Sequence, residues 1–183
     1  MKILKSKLSG AAEIISNPII DHRGWFVRFF CQEEMLELNN KKNIVQINSS
    51  FTKKKGTIRG LHFQNEPFCE DKIVRCISGK IFDVMLDLRD GSKTFGQWQS
   101  IILDSKKMNM AYIPKGFAHG FQTLKSNCQI LYLHTEYRNQ ISEDGYHFDS
   151  PYLKIKWPLK LTEISDRDKN LKEFNRSSDK IKL

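Results

Sequence analysis

Short runs in which apolar and polar residues alternate follow one another along most of the chain. In the clearest of them, Lys80–Leu88, Val84 and Leu86 lie on one face of an extended segment, whereas Asp83 and Asp87 lie on the other. The same period of two residues indicates further strands at Ile44–Ser50, Thr57–Gln64, Lys72–Ile77, Phe95–Leu103, Asn109–Ile113, Gly120–Leu124 and Gln129–Thr135.

Glycine-containing turns separate these runs, as is typical of antiparallel sheets. Ser78-Gly79-Lys80 and Asp90–Lys93 each join two successive strands. One short helix is predicted at Gln32–Leu38, where two glutamates in the first turn suit the helix dipole. Many short strands with little helix predict an all-β fold, a double-stranded β-helix or jelly roll with short peripheral helices. The mouth between its two sheets can hold a small ligand.

The length of 183 residues fits one domain. We expect a single domain over residues 1–183, with an N-terminal arm at about residues 1–30 and a polar C-terminal wrap at about residues 159–183. No apolar run approaches the ~20 residues that a membrane helix needs, and Lys5 and Lys7 interrupt any signal-peptide segment. The expectation is a cytoplasmic protein with no membrane partner.

The net charge of +9 permits three interpretations. It fits a nucleic-acid partner, an anionic small ligand such as a nucleotide diphosphate, or a lysine-rich composition without functional meaning. Nucleic acid is not expected, because the aromatic residues are not interleaved with basic ones along one strip. The cysteines, Cys31, Cys69, Cys76 and Cys128, form no Cys-x-x-Cys pair and are expected to be reduced and mostly packed.

Two glycine-punctuated apolar segments each carry a histidine. The segments are Gly56–Gln64, with His62, and Ile113–Phe121, with His119, and together they resemble the two motifs of the cupin jelly rolls. A metal-binding cupin needs roughly three histidines and a carboxylate around the ion. Here Gln64 stands where the second histidine of the first motif belongs, so no bound metal is expected.

Without a metal, His62 is either a buried hydrogen-bonding residue or a general base. Arg59 lies three residues earlier, so alternation places it on the opposite face of the strand unless the backbone bends. Lys72 and Tyr132 belong to neighbouring strand candidates. An imidazole, several cations and a phenol at the opening between the two sheets are the groups needed to remove a proton from a carbon beside a carbonyl. That reaction needs a base, a cation for the enolate oxygen and an acid to return the proton.

Around the motif Arg59–Gln64 the sequence resembles the dTDP-4-dehydrorhamnose 3,5-epimerase family, over about residues 20–170. The resemblance continues through Lys72–Cys76, Gly79–Val84, Asp87–Arg89, Thr94–Trp98, Ile113–Phe121 and Ile155–Pro158. It implies a cupin fold and an epimerase without metal or cofactor that acts on a nucleotide-diphospho-4-keto-sugar. It also implies that the protein is a homodimer.

The resemblance assigns roles to individual residues. His62 would remove the proton alpha to the C4 ketone, at C3, at C5 or at both, and Asp168 would orient that histidine. Lys72 would stabilise the enolate, and Tyr132 would deliver a proton to the opposite face of the sugar ring. The implied contacts to the substrate and its pyrophosphate are Arg23, Arg59, His119, Glu143 and Arg167.

Three segments on the nucleotide side depart from the family's usual residues. The family usually has Glu at the position of Arg28, Gln-Asp-Asn in place of Gln46-Ile47-Asn48, and a thymine-stacking Tyr at the position of Arg138. We keep Arg28, Gln46, Asn48 and Arg138 as candidate substrate contacts, since Arg also stacks on a base. The departures predict retained chemistry with a changed nucleotide or sugar, such as a GDP-linked 4-keto-heptose of capsule or lipopolysaccharide synthesis.

Two other functions stay open at this point. A nucleotide-sugar 3,4-ketoisomerase shares the fold, but it carries paired histidines on the first strand, whereas Phe63-Gln64 follow His62 here. A catalytically silent cupin would bind a nucleotide sugar without exchanging its protons. The tryptophans, Trp25, Trp98 and Trp157, are expected to serve packing.

Overall fold

The structure, a computed structural model, describes residues 1–39 and 42–183 and consists mainly of β-strands. The strands are β1 (Lys2–Lys5), β2 (Ala12–Ile15), β3 (Ile19–Asp21), β4 (Gly24–Phe26), β5 (Gln46–Thr52), β6 (Ile58–Gln64), β7 (Lys72–Ser78), β8 (Lys80–Asp87), β9 (Trp98–Asp104), β10 (Asn109–Ile113), β11 (Phe117–Thr123), β12 (Cys128–His134) and β13 (Glu143–Gly145). Two short helices, α1 (Leu36–Asn39) and α2 (Asp166–Lys169), lie outside the sheets.

Apart from β3 and β4, the described strands form two antiparallel sheets that pack face to face. The larger sheet has the order β1-β2-β10-β7-β12-β5, and the smaller one has the order β13-β6-β11-β8-β9. Val74 and Ile113 of the larger sheet belong to one buried apolar cluster with Met85 and Phe121 of the smaller sheet. The predicted all-β jelly roll with short peripheral helices is confirmed.

The predicted strands lie where alternation placed them, with boundaries that differ by up to three residues. β9 begins at Trp98 rather than at Phe95, because the preceding residues form a turn around Asp87, whose carboxylate accepts hydrogen bonds from Ser92 and Thr94. Strands β1 to β4 and β13 were not predicted. Each has only three or four residues, too few for alternation to be recognised.

The N-terminal residues divide into a packed part and a projecting part. β1 and β2 extend the larger sheet, whereas β3 and β4 pair with each other as a separate two-stranded sheet. Trp25 on this hairpin is 56% exposed, so within one chain the expectation that it serves packing is wrong. Trp98 and Trp157 do pack, against the outer face of the smaller sheet.

The C-terminal residues cover the outer face of the smaller sheet. Leu153, Phe174 and Ile181 pack on Val84 and Leu86 of β8. The opposite face of β8, with Asp83 and Asp87, lies between the sheets and is fully buried. Both faces of β8 are therefore covered, and the same wrap carries α2 toward β6.

The remaining sequence expectations concern cysteines and membrane segments. Every cysteine is free; Cys69, Cys76 and Cys128 are buried and Cys31 is half-buried. In residues 1–39 and 42–183, no helix has the length and apolar character needed to cross a membrane.

Candidate active site

A cleft of about 780 Å³ opens where the two sheets diverge, a volume typical of sites for small molecules. Most of the predicted site residues line it, namely Gln46, Asn48, Arg59, His62, Lys72, His119, Tyr132, Arg138, Glu143, Arg167 and Asp168. β6 and β11 of the smaller sheet supply the two histidines, and β7 and β12 of the larger sheet supply Lys72 and Tyr132.

His62 and Asp168 form a hydrogen-bonded pair at the base of the cleft. His62 Nε2 lies 2.7 Å from Asp168 Oδ1, and the Gly60 N–H donates to Asp168 Oδ2 at 3.0 Å. Burial alone would raise the pKa of Asp168, but the hydrogen bonds from His62, Gly60 and Ser165 hold it below its ordinary value. Asp168 is therefore an anion. With the His62 Nε2–H given to this carboxylate, Nδ1 carries the lone pair that can accept a proton.

A local irregularity brings Arg59 and His62 to the same cleft. The pairing of β6 with β11 shifts by one residue between His62 and Arg59, so simple alternation does not hold across Gly60. Gly60 has a φ of +110°, and a Cβ there would lie 2.5 Å from the Cα of Gly120. Only glycine fits this bend. The bend is why Arg59, which alternation would place on the opposite face, lines the cleft.

A second histidine–carboxylate pair lies beside the first. His119 is directly opposite His62 in the register of β11 and β6, and its Nε2 lies 2.7 Å from Asp83 Oδ1. Complete burial raises the pKa of Asp83, although His119 acts to lower it. Among the described residues, Oδ2 of Asp83 has no hydrogen-bond partner. The pair fixes the orientation of His119 toward the cleft.

Tyr132 faces the histidines from the opposite sheet. Its hydroxyl lies 2.9 Å from Ser50 Oγ, and its ring centre lies 6.4 Å from that of His119. Burial raises the pKa of Tyr132 to about 12, with the Ser50 hydrogen bond acting in the other direction. The phenol is therefore protonated at neutral pH and can donate a proton.

Lys72 extends into the cleft from the first residue of β7. Its Nζ lies 2.7 Å from Glu70 Oε1, and both side chains are nearly buried. A buried ammonium is tolerated when a carboxylate compensates its charge. The two remaining N–H groups of the ammonium can serve a ligand oxygen.

The cleft also carries a cluster of charges. Arg138 donates to both carboxylate oxygens of Glu143, at 2.7 and 3.0 Å, and Arg167 contacts the same carboxylate at 3.1 Å. The hydrogen bond from Arg138 is the main cause that lowers the pKa of Glu143. Gln46 accepts a hydrogen bond from the Arg138 backbone, and Asn48 contacts His134. The cluster has one net positive charge, which suits a phosphorylated ligand.

Arg23 and Arg28 lie outside this cleft in the described chain. Arg23 pairs with Asp21 at 2.7 Å at the tip of the exposed β3–β4 hairpin. Arg28 pairs with Glu34 at 2.9 Å. Of the predicted site residues, these are the ones that the fold of a single chain does not bring together with the rest.

Several cleft residues were missed by sequence reasoning. Ser50 contacts Tyr132, Asp83 contacts His119, Glu70 contacts Lys72, and His134 lies beside Tyr132 with ring centres 6.2 Å apart. Asp83 gave a signal that could have been used, since a carboxylate within an apolar strand is rare unless it has a partner. His134 gave another, because it lies two residues after Tyr132 on β12 and so shares its strand face. Ser50 and Glu70 each follow or precede another polar residue, and nothing in the sequence distinguishes them from solvated side chains.

The arrangement offers general acid–base chemistry. In the part of the chain that the structure describes, no three His, Cys, Asp or Glu side chains form a cluster that could hold a metal ion. A base on the smaller sheet, with an acid and a cation on the larger one, can deprotonate a carbon beside a carbonyl and reprotonate it from the other face.

Comparison with known proteins identifies the family. The family model of dTDP-4-dehydrorhamnose 3,5-epimerase matches residues 5–176. The chain belongs to this family. The resemblance inferred from the motifs is thereby confirmed, and the protein is an isomerase-class enzyme for nucleotide-diphospho-4-keto-sugars.

Individual members of the family show how close the relation is. The dTDP-4-dehydrorhamnose 3,5-epimerase of Shigella flexneri is 34% identical over 175 residues, which cover 95% of this chain and 96% of that protein. A crystal structure of the Bacillus anthracis enzyme with TDP and PPi bound superposes with a TM-score of 0.91 at 34% identity, covering 94% of this chain and 99% of the other.

A third relative shows that the inverted sugar carbon varies among proteins with this fold. The structure of a 3'-monoepimerase from Streptomyces bikiniensis in complex with dTDP-quinovose superposes with a TM-score of 0.87 at 27% identity, covering 93% of this chain and 86% of the other. Epimerases named for C3 and C5, and one named for C3 alone, therefore share the architecture of this epimerase-family chain.

Proposed function

We propose that the enzyme inverts C3, C5 or both of a nucleotide-diphospho-4-keto-sugar by deprotonation and reprotonation beside the C4 ketone. The observation that carries the proposal is the His62–Asp168 pair, held at 2.7 Å in the same cleft as Lys72 and Tyr132. Relatives bound to TDP and to dTDP-quinovose support a nucleotide-sugar ligand.

The proposed reaction has two steps. His62 Nδ1 takes the proton from C3 or C5, and the electron pair moves to O4 to give an enolate. Asp168 compensates the charge that His62 gains, and Lys72 compensates the charge on O4. Tyr132, which belongs to the opposite sheet, then gives its proton to the same carbon from the other face. The electron pair returns from O4 to that carbon, the phenolate that remains recovers a proton from solvent, and the His62 imidazolium releases its proton to solvent.

Solvent exchange tests this reaction. A 4-keto-6-deoxyhexose linked to dTDP or to GDP is incubated with the enzyme in D₂O, and NMR follows deuterium at C3 and C5. Exchange with inversion supports the epimerase, whereas movement of the keto group to C3 supports the ketoisomerase. Binding without exchange of either substrate overturns the proposal in favour of a silent binding module.

The nucleotide end of the cleft supports a base other than thymine. Arg138 is held flat by its two hydrogen bonds to Glu143, which leaves the guanidinium face free to stack on a base. A purine offers a larger face than thymine to such a contact. We therefore propose a GDP-linked 4-keto-sugar, with a heptose of surface polysaccharide synthesis as the candidate sugar.

We predict that the enzyme binds GDP more tightly than dTDP and that Arg138→Tyr reverses the order. Base stacking contributes roughly 1–3 kcal/mol, so the ratio of the two dissociation constants is expected to shift by about 5- to 150-fold. Isothermal titration of both nucleotides against both proteins measures it. Arg176→Tyr, at an exposed arginine that contacts Tyr152 away from the cleft, is the matched control. Clear preference of the wild type for dTDP would contradict the prediction.

We also propose that the enzyme is a homodimer. Ile19, Ile20, Trp25 and Phe26 of the β3–β4 hairpin are all more than half exposed, and an isolated hairpin of this kind is marginally stable. Exposed apolar patches of this kind mark interaction sites. A second copy that covers the hairpin would also contact Arg23, which lies at the hairpin tip.

The outer face of the larger sheet supports the same proposal. Ile47 and Phe51 of its edge strand β5 are 61% and 52% exposed. Arg75 on this face is buried over the ring of Phe29, and within the described chain its Nε and Nη1 have no hydrogen-bond partner. Burial lowers the pKa of Arg75 to about 10. We propose that the hairpin of a second copy covers part of this face and completes the cleft with Arg23.

Charge on the hairpin is expected to separate the two copies. Trp25→Asp places a carboxylate in the proposed apolar interface, so light scattering should show twice the mass of the chain for the wild type and a monomer for the variant. Ile141→Asp, at a residue that is 96% exposed in a loop outside the hairpin, is expected to leave the mass unchanged. A monomeric wild type at micromolar concentration would refute the dimer.

A further inference from the structure

A row of three nearly buried polar side chains lies in the wall of the cleft and ends at Lys72. Gln64, Glu70 and Lys72 are each less than a tenth exposed. Glu70 Oε1 lies 2.7 Å from Lys72 Nζ, and Glu70 Oε2 accepts a hydrogen bond from Gln64 Nε2. The reaction proposed above uses only Lys72, so the roles of Glu70 and Gln64 need a separate explanation.

The two contacts of Glu70 require a carboxylate. Each oxygen meets a different donor, and a carboxylate is the side chain that presents acceptors at both ends. A glutamine at the same position presents one acceptor and one donor. Whichever way its amide is turned, an N–H group would face either the Lys72 ammonium or the Gln64 amide, and one contact would be lost.

Gln64 fixes the far end of the row. Its Oε1 accepts from the Asn139 backbone at 2.6 Å, and its Nε2 also donates to the Phe68 carbonyl at 2.9 Å. Gln64 is two residues after His62 on β6, so both residues have their positions set by the same strand. The row therefore connects the strand of the base to the ammonium.

His134 is another titratable group that faces Glu70. Its Nδ1 lies 4.0 Å from Glu70 Oε2, beyond hydrogen-bond distance. Burial, together with the charges of Lys72 and His119, lowers the pKa of His134 to about 4. His134 is neutral at pH 7 and does not compete with Lys72 as a cation for the carboxylate.

We propose that Glu70, held by Gln64, is a positioning residue for Lys72. A lysine side chain has four rotatable bonds, so its ammonium needs an anchor to stay at the place where O4 becomes charged. Glu70 holds one N–H and leaves two for O4. The inference rests on the proposed function, and Glu70 contacts no reacting atom itself.

Glu70→Gln tests the role with little change in volume. In the D₂O exchange assay, kcat is expected to fall by about 10- to 100-fold with KM nearly unchanged, because misplacing a catalytic group by about 1 Å has an effect of this size. The melting temperature and the affinity for the nucleotide diphosphate are measured beside it, and both are expected to stay near the wild-type values. Glu66→Gln is the control, since Glu66 lies near Glu70 in the chain and pairs with Lys115 at 3.6 Å outside the cleft.

A double-mutant cycle separates positioning from a merely structural role. Lys72→Met removes the ammonium, so adding Glu70→Gln to it is expected to change the exchange rate by less than about 2-fold. Equal losses in both backgrounds would overturn the proposal, and so would an unchanged kcat in Glu70→Gln alone.

A second variant covers the case in which Glu70→Gln does not fold. Glu70→Asp keeps the charge but is one methylene shorter, and its kcat is expected to be lowered by about 10-fold. A wild-type kcat in Glu70→Asp would overturn the positioning role. If the wild-type enzyme exchanged no 4-keto-sugar nucleotide at all, the proposed function would fail instead, and the two failures are thereby distinct.

Discussion

His62→Asn is expected to lower deuterium exchange at C3 and C5 of the 4-keto-sugar by roughly 10²–10⁴-fold, the usual contribution of a general base. Asparagine ends near the position of the ring Nδ1 and does not reach that of Nε2, so the variant loses the 2.7 Å contact to Asp168 together with the base. It offers no nitrogen that can take up a proton near neutral pH. NMR in D₂O measures the rate, and nucleotide binding is expected to persist.

His147→Asn is the matched control for this loss. His147 accepts a hydrogen bond from the Asp149 backbone and packs beside Phe148, away from the cleft. Its substitution is expected to leave the exchange rate near the wild-type value. Exchange at the wild-type rate in His62→Asn would mean that another group is the base, and His119 would then be the residue to replace next.

The sheet core could be predicted from the sequence because its strands alternate over five or more residues. β8 shows the limit of that pattern, since its two acidic residues lie on a face that is as buried as the apolar one. Asp83 is hydrogen-bonded there to His119, and Asp87 accepts hydrogen bonds from Arg89, Ser92 and Thr94. Alternation separates the two faces of a strand, but it does not tell which of them is covered.

The site was predictable only in part, and its dyad shows why. His62 and Asp168 are 106 residues apart, and no spacing in the sequence links a strand to a charged C-terminal segment. The family resemblance supplied this pair. In the structure, Ser165 caps α2 and the Gly60 N–H binds the carboxylate, so the approach of Asp168 depends on two contacts that are far apart in the chain.

Other site features cannot be predicted from the sequence at all. The bend at Gly60 that turns Arg59 into the cleft follows from the close approach of Gly120, which only the folded sheet reveals. Arg23, at the tip of an exposed hairpin, pairs with Asp21 and does not line the cleft of the described chain. Its predicted contact with substrate requires the second copy that we propose.

Tyr132→Phe is expected to uncouple proton exchange from inversion. The variant loses the phenol that gives a proton from the larger sheet, so formation of the inverted sugar should fall by roughly 10²–10⁴-fold. His62 can still remove a proton and return a deuteron to the same face. Deuterium therefore enters C3 or C5 with retained configuration, at a rate within about 10-fold of the wild type.

Tyr132→Phe separates the two proton-transfer roles because exchange reports the base and inversion reports the acid. Tyr152→Phe is its control, since the Tyr152 hydroxyl contacts Arg176 on the surface at 3.0 Å. In this control, deuterium exchange and inversion should both proceed as in the wild type. Loss of exchange together with inversion would place Tyr132 in enolate formation rather than in reprotonation. Undiminished inversion would mean that water or another acid supplies the second proton. The pKa of about 12 makes the phenol a proton donor at neutral pH, so we expect inversion alone to be lost.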